Sequence, residues 1–151
     1  PLSSAVRGTH PKMCASYRPM YSADIHGFCE SCASLQSVIE PLLLIYRVDL
    51  ALWGHHHSYQ RTCALSRGEC VPTPGYQTRG VVHSVIGAAG YEFSQVASGP
   101  DAPAWLRYAN DTQYGYAHID ADSESLHFEF LRADGGGVLD EFTLNLPPTP
   151  S

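Results

Sequence analysis

The chain has 151 residues, 44% hydrophobic and 16% charged, a balance that describes one globular domain with a sizeable core and excludes disorder except at the ends. Its formal net charge is -6, and nine Lys plus Arg never form a run, which excludes the basic footprint of a nucleic-acid or anionic-membrane partner. No stretch approaches the ~20 apolar residues needed to cross a bilayer.

Pro1 is not an initiator methionine and no signal-peptide pattern follows it, so the chain is expected to be a processed product or a piece of a longer protein. The run "KMCAS" (12 to 16) has the length of a buried strand, and the loop after it, from Pro19 to Ser34, is long enough to suggest function or disorder. Leu35, Val38, Ile39, Leu42, Leu43 and Tyr46 recur at helical spacing, which predicts an amphipathic helix over 35–46. Pro41 should kink it or mark a restart, because proline removes a backbone donor. "VDLALW" (48 to 53) has the composition of a strand buried on both faces, and strand, helix, strand in sequence suggests a parallel crossover.

Beyond residue 80 the pattern is strand after strand: "VVHSVIG" (81 to 87), "YGYAHID" (114 to 120), "SLHFEFL" (125 to 131) and "VLDEFTLNL" (138 to 146). "RADGGG" joins the last two as a hairpin signal, and alternation places Leu126, Phe128 and Phe130 on one face of their strand. The fold class is therefore α/β closed by a C-terminal antiparallel β meander, in one domain over 1–146, with residues 147–151 of the "LPPTPS" segment as a disordered tail.

Five cysteines leave at least one thiol without a partner in the chain; Cys14, in an apolar stretch, is the candidate buried free thiol. Cys29 and Cys32 form a "CESC" with no second pair at zinc-ribbon spacing, which favours a loop disulfide or free thiols over a redox or zinc role. Cys63 and Cys70 are a second close pair. Asn110, in Asn110-Asp111-Thr112, is a glycosylation acceptor triplet, and with the cysteines it points to the secretory pathway, hence a secreted or vacuolar protein.

The chemistry-bearing feature is "ALWGHHHSYQRTC" (51 to 63). If Gly54 to Ser58 leaves its strand extended, His55 and His57 point to one side and His56 to the other, which is metal-ligand geometry at the carboxyl end of a buried strand. The alternative is a solvated loop that binds nothing, and two histidines cannot hold a structural zinc alone. His83, His118 and His127 lie in strand patterns and are expected to be structural, while His10 and His26 sit in loops. Ser58 and Ser84 lie near histidines, but no "GxSxG" elbow singles out a nucleophile.

"YRPMYSAD", "EPLLLIYRVDLALWGHHHSYQRTC", "VHSVIGAAG", "WLRYANDTQYGYAHID" and "LHFEFLRADGGGVLDEF", in this order, resemble the carboxyl-terminal half of the purple acid phosphatases, nearest to the plant-type high-molecular-weight group. The resemblance implies part of a four-layer α/β/β/α metallophosphoesterase sandwich that hydrolyses phosphate monoesters with iron and a second metal (zinc, manganese or iron). By the family pattern His55 binds the divalent metal, His57 the ferric iron, and His56 fills the variable position. His26 stands where some members carry a histidine that contacts phosphate or donates a proton. Cys63 and Cys70 match a cysteine pair often disulfide-linked in the family.

Two departures accompany the match. Tyr17 stands where the family has a histidine that binds the divalent metal, and Gln60 stands for the usual glutamate of "HxYER". A tyrosine with a pKa near 10 does not replace a neutral imidazole unless a metal ionises it. The family's other ligands come from "DxG", "GDxxY" and "GNH" motifs, and none of these occurs ahead of His55. The chain is therefore expected to need a missing N-terminal half as partner to complete a dinuclear centre. The alternatives are a catalytically inactive binding or structural member of the family, or a related phosphodiesterase or nucleotide pyrophosphatase.

Overall fold

A computed structural model describes residues 10–26, 32–71 and 80–145. The proposed tail at 147–151 and Cys29 lie outside the described residues.

Strand β1 (Met13–Ser16) is followed by helix α1 (Cys32–Ile45) and strand β2 (Leu50–Trp53), and β1 and β2 pair in parallel with Ser16 beside Trp53. This is the crossover expected from the sequence. The helix begins three residues earlier than the apolar spacing indicates and runs on through Pro41. Its buried Glu40 accepts hydrogen bonds from the Tyr21 hydroxyl at 2.8 Å and the Arg67 amide at 2.9 Å, so the charge taken out of water is partnered.

Strand β3 (Tyr59–Ser66) leaves the histidine loop, turns into the two-residue β4 (Glu69–Cys70), and is followed by β5 (Val81–Ile86) and β6 (Leu106–Asn110). The mixed sheet has the order β1-β2-β5-β3-β4, with β6 also on β3; β5 is parallel to β2 and antiparallel to β3. Strands β7 (Gly115–Ala121), β8 (Ser125–Arg132) and β9 (Val138–Asn145) form a separate antiparallel meander.

Period-2 alternation explains how the layers stack. In β2, Ala51 and Trp53 face one core with Met20, Leu43, Val81 and Val85, while Leu50 and Leu52 face a second with Phe128 and Phe130. The first core lies under α1 and the second lies between the two sheets. The central strands are thus buried on both sides, which is why "VDLALW" and "VVHSVI" are nearly continuous apolar runs. Leu126, Phe128 and Phe130 are all fully buried on one face of β8, as the alternation requires, and each contributes roughly 1.5–3 kcal/mol by leaving water.

A polar tie crosses the sheet-to-sheet core. Asp140 of β9, buried, accepts from the Tyr59 hydroxyl at 2.6 Å and from Arg61 through both Nε (2.6 Å) and Nη2 (2.9 Å). Tyr59 stacks on Phe130 with centroids 4.1 Å apart, and the Arg61 guanidinium lies over the Phe142 ring. Burial and the Asp140 carboxylate push the Tyr59 hydroxyl pKa far upward, so it remains a donor.

Asp140→Ala should leave Arg61 and Tyr59 without their acceptor and lower unfolding stability by about 3 kcal/mol in urea denaturation, whereas a surface change such as Glu141→Ala should change it by less than about 0.5 kcal/mol.

Candidate functional site

The histidine loop starts where β2 ends, beside the end of β1. Gly54 donates its amide to the Tyr17 carbonyl at 3.1 Å, so the residues after two parallel strands are tied at one edge, the carboxyl end where open α/β sheets bind ligands. The loop is not extended as the sequence pattern suggested. Residues 55–58 are a series of bends, and His55 has a φ of 67°, in the left-handed region that non-glycine residues rarely enter. The same-side argument for His55 and His57 therefore loses its premise, and whatever relation the two have comes from the bends.

His56 does not simply face away. It is buried, its Nδ1–H donates to Asp24 Oδ2 at 2.8 Å, and its ring lies edge-on to His55 at 5.1 Å. Asp24 is brought there by Gln60, whose Oε1 accepts the Ala23 amide at 2.8 Å while its Nε2 donates to Ser58 Oγ at 2.9 Å. A carboxamide supplies both a donor and an acceptor here. Gln60 thus holds the 22–24 segment against the loop, a positioning role that the replaced glutamate had only hinted at.

His57 is oriented from the other side. Its amide donates to Ser94 Oγ at 3.0 Å, its Nδ1–H donates to the Glu92 carbonyl at 2.9 Å, and Tyr91 packs edge-on at 5.0 Å. A ring held through Nδ1 presents Nε2 outward, the tautomer found in metal-binding histidines. Gly87 sets how closely the loop lies on the end of β5, because a Cβ there would stand 2.1 Å from the His56 carbonyl oxygen.

His55 is differently engaged. Its Nε2 is 3.1 Å from Arg18 Nη1, and since a guanidinium only donates, Nε2 is the acceptor and Nδ1 carries the hydrogen. Nδ1 is buried and has no hydrogen-bond partner among the described residues. Burial first, then the Arg18 charge and the neighbouring histidines, lowers the His55 pKa. Tyr17 lies edge-on to it at 5.0 Å and is 65% exposed, so its hydroxyl is not locked toward the histidines.

These contacts test the fit of a metal. His57 is suited to donate, while His55 as placed has one nitrogen committed to Arg18 and the other enclosed. Among the described residues no third His, Cys, Asp or Glu joins them as a ligand set. At the histidine loop the described residues therefore supply at most two donors and do not by themselves make a metal centre.

The other expected residues fall as follows. His26 donates through Nε2 to Gln95 Oε1 at 2.9 Å, which places it beside the 91–96 segment that holds His57. Cys63 and Cys70 form a disulfide between β3 and β4, Cys32 is also disulfide-bonded, and Cys14 is free, with its thiol pKa raised by burial. Asn110 ends β6, and its Oδ1 accepts the Thr112 and Gln113 amides. His83 is buried, as a structural histidine should be: the Trp53 indole donates to its Nδ1 at 3.1 Å. Arg18 and Asp24 lie within the "YRPMYSAD" stretch of the family resemblance, but nothing in the sequence assigns them these contacts, and Glu92, Ser94 and Gln95 carry no motif signal.

Comparison with known proteins agrees with this architecture. Residues 80–141 match the family model described as iron/zinc purple acid phosphatase-like protein C. A probable inactive purple acid phosphatase 27 of Arabidopsis thaliana is 35% identical over 104 residues, covering 66% of this chain and 16% of its own length. Acid phosphatase A of Cryphonectria parasitica is 28% identical over 145 residues, covering 95% of this chain and 28% of that protein. The purple acid phosphatase PPD1 from yellow lupin (Lupinus luteus) seeds superposes with a TM-score of 0.74 at 25% identity, over 88% of this chain and 24% of that structure. The fold is that of a phosphoesterase-type α/β domain. The chain belongs to the purple acid phosphatase family, a dinuclear metal-dependent group, and corresponds to its carboxyl-terminal region. It spans about a sixth of the length of the first of these relatives.

Two predictions follow from the packing around the loop. Gly87→Ala should force the His56 carbonyl away and cost about 3 kcal/mol, visible as a lower urea midpoint with displaced His56 and His57 imidazole resonances. Burial lowers the His83 pKa from 6.5 to about 3, so the unfolded chain takes up a proton that the folded chain refuses. Its contribution to stability is complete above pH 6.5 and is lost as pH falls from there toward 3, at up to about 1.4 kcal/mol per pH unit. Urea midpoints measured from pH 7 to pH 4 should fall more steeply for the parent chain than for His83→Gln.

Proposed function

We propose that this chain is the carboxyl-terminal portion of a metal-dependent acid phosphatase acting on phosphate monoesters, with His57 as a ligand of iron and His55 as a ligand of a second, divalent metal. The observation that carries this reading is His57, held through Nδ1 by the Glu92 carbonyl so that Nε2 is left to donate. When bound, a metal pair supplies a hydroxide at low pH and neutralises charge on the phosphate. The remaining donors belong to a segment outside these 151 residues. His26 is then a phosphate contact or proton donor, a role supported by its exposure and its tie to Gln95. Asn110 as a glycan acceptor and a secretory destination belong to the same reading, supported by the disulfides.

A second reading, a non-catalytic family member, is favoured by the hydrogen bond from Arg18 to His55 Nε2 and by Tyr17 in place of a histidine. A guanidinium brings positive charge to the nitrogen a metal would need. The name of the Arabidopsis relative, a probable inactive phosphatase, is consistent with it.

The 151-residue chain alone, supplied with iron and zinc, should not turn over p-nitrophenyl phosphate at acidic pH. Joined to an upstream half carrying the family's aspartate and "GNH" motifs, it should do so, and His57→Asn should lower kcat by at least about 100-fold, more than losing an outer partner of a ligand costs. An inactive joined protein that Tyr17→His activates would favour the second reading. Unchanged kcat in His57→Asn would overturn the first.

A further inference from the structure

The outer face of the three-stranded meander carries a second grouping of imidazole and carboxylate, on a different sheet from His55 and His57. Antiparallel register sets His118 of β7 opposite Glu129 of β8, Glu129 opposite Glu141 of β9, and His127 opposite Thr143. His127 and Glu129 are two residues apart on one strand and so share a face. One ligand atom from each of His127, Glu129 and Glu141 lies within 4.8 Å of the other two. Atoms bound to a common zinc at about 2.0–2.1 Å are at most about 4 Å apart, so a modest rotation of the exposed Glu141 side chain closes the set.

The surrounding hydrogen bonds orient the donors. His127 Nδ1 is 3.0 Å from Thr143 Oγ1, and its Nε2 is 4.0 Å from Glu129 Oε1, beyond hydrogen-bond range but within the span of two ligands on one ion. The other oxygen of Glu129 accepts from His118 Nδ1 at 3.2 Å, which fixes the carboxylate. Glu129 and Glu141 are like charges directly opposite one another, an arrangement that repels unless a cation lies between them. The ion-pair partners found for Glu129 among the described residues are histidines, positive only when protonated.

We propose that His127, Glu129 and Glu141 bind a divalent cation of the zinc class, with His118 and Thr143 positioning the ligands. One imidazole and two carboxylates suit zinc, nickel or copper(II), and water completes a solvent-facing shell. The ion bridges β8 to β9 and does not depend on the phosphatase reading.

The test is a zinc titration of the full chain by calorimetry, in a His55→Asn, His57→Asn background that removes binding at the loop. One zinc should bind, and His127→Asn or Glu129→Gln should each weaken it by at least about 10-fold, with unchanged far-UV circular dichroism. Thr143→Val should weaken it by about 10-fold and Thr143→Ser should restore it, a pattern that bulk destabilisation would not give. In the unaltered chain, zinc should shift the His127 imidazole resonances, which covers the case in which the background variant does not fold. Zinc affinity unaltered by these substitutions, no zinc uptake, or zinc shifts that spare His127 would overturn the proposal.

Discussion

The contact on which the rest of the structure depends is the buried bridge from Asp140 to Arg61 and Tyr59. It is a polar link between two sheets whose shared core, among the described residues, is otherwise aliphatic and aromatic packing, which tolerates sliding. A bidentate guanidinium–carboxylate pair does not slide, because both oxygens and two nitrogens must align. Since Tyr59 is the first residue of β3, this pair also fixes where the strand begins and the histidine loop must end. The "YxR" that follows the histidines is thus part of the architecture, with its charges spent inside the protein.

The loop itself is held from three directions. Asp24 anchors His56, the 92–94 segment anchors His57, and the ends of two parallel strands anchor Gly54. Such multiple restraint is what allows His55 to occupy a left-handed conformation that would be disfavoured in a free chain. The middle histidine contributes rigidity, while the outer two are less buried. Arg18 complicates this division, since it commits the very atom of His55 that faces outward.

Much of the fold was legible because burial on both faces leaves long apolar runs and burial on one face leaves alternation. The helix α1, β2, the strand at 81–86 and the meander were visible on those grounds, whereas β1, expected to be buried, is largely exposed at the sheet edge. Strands β3 and β6 were not, because "YQRTCALS" buries Gln60 and Thr62 as hydrogen-bonding residues, and a register shift after Arg61 breaks the period. At the site, residue types were legible and backbone path was not. "HHH" identifies imidazoles, but the turn at His55 depends on Asp24 and on the segment near residue 92, about 30 and 37 residues away, which no local pattern encodes.

Gly87 illustrates what a glycine-rich motif can mean. "GAAG" invites comparison with loops that cradle anions, yet here the first glycine is needed because another backbone passes where its side chain would be. The two segments are therefore bound as a pair in evolutionary terms. Drift at position 87 is closed to every larger residue for as long as the histidine loop keeps its course, and a lineage that rerouted the loop would be free to lose the glycine. Loss of that glycine in a relative would thus report a remodelled histidine loop even where all three histidines were retained.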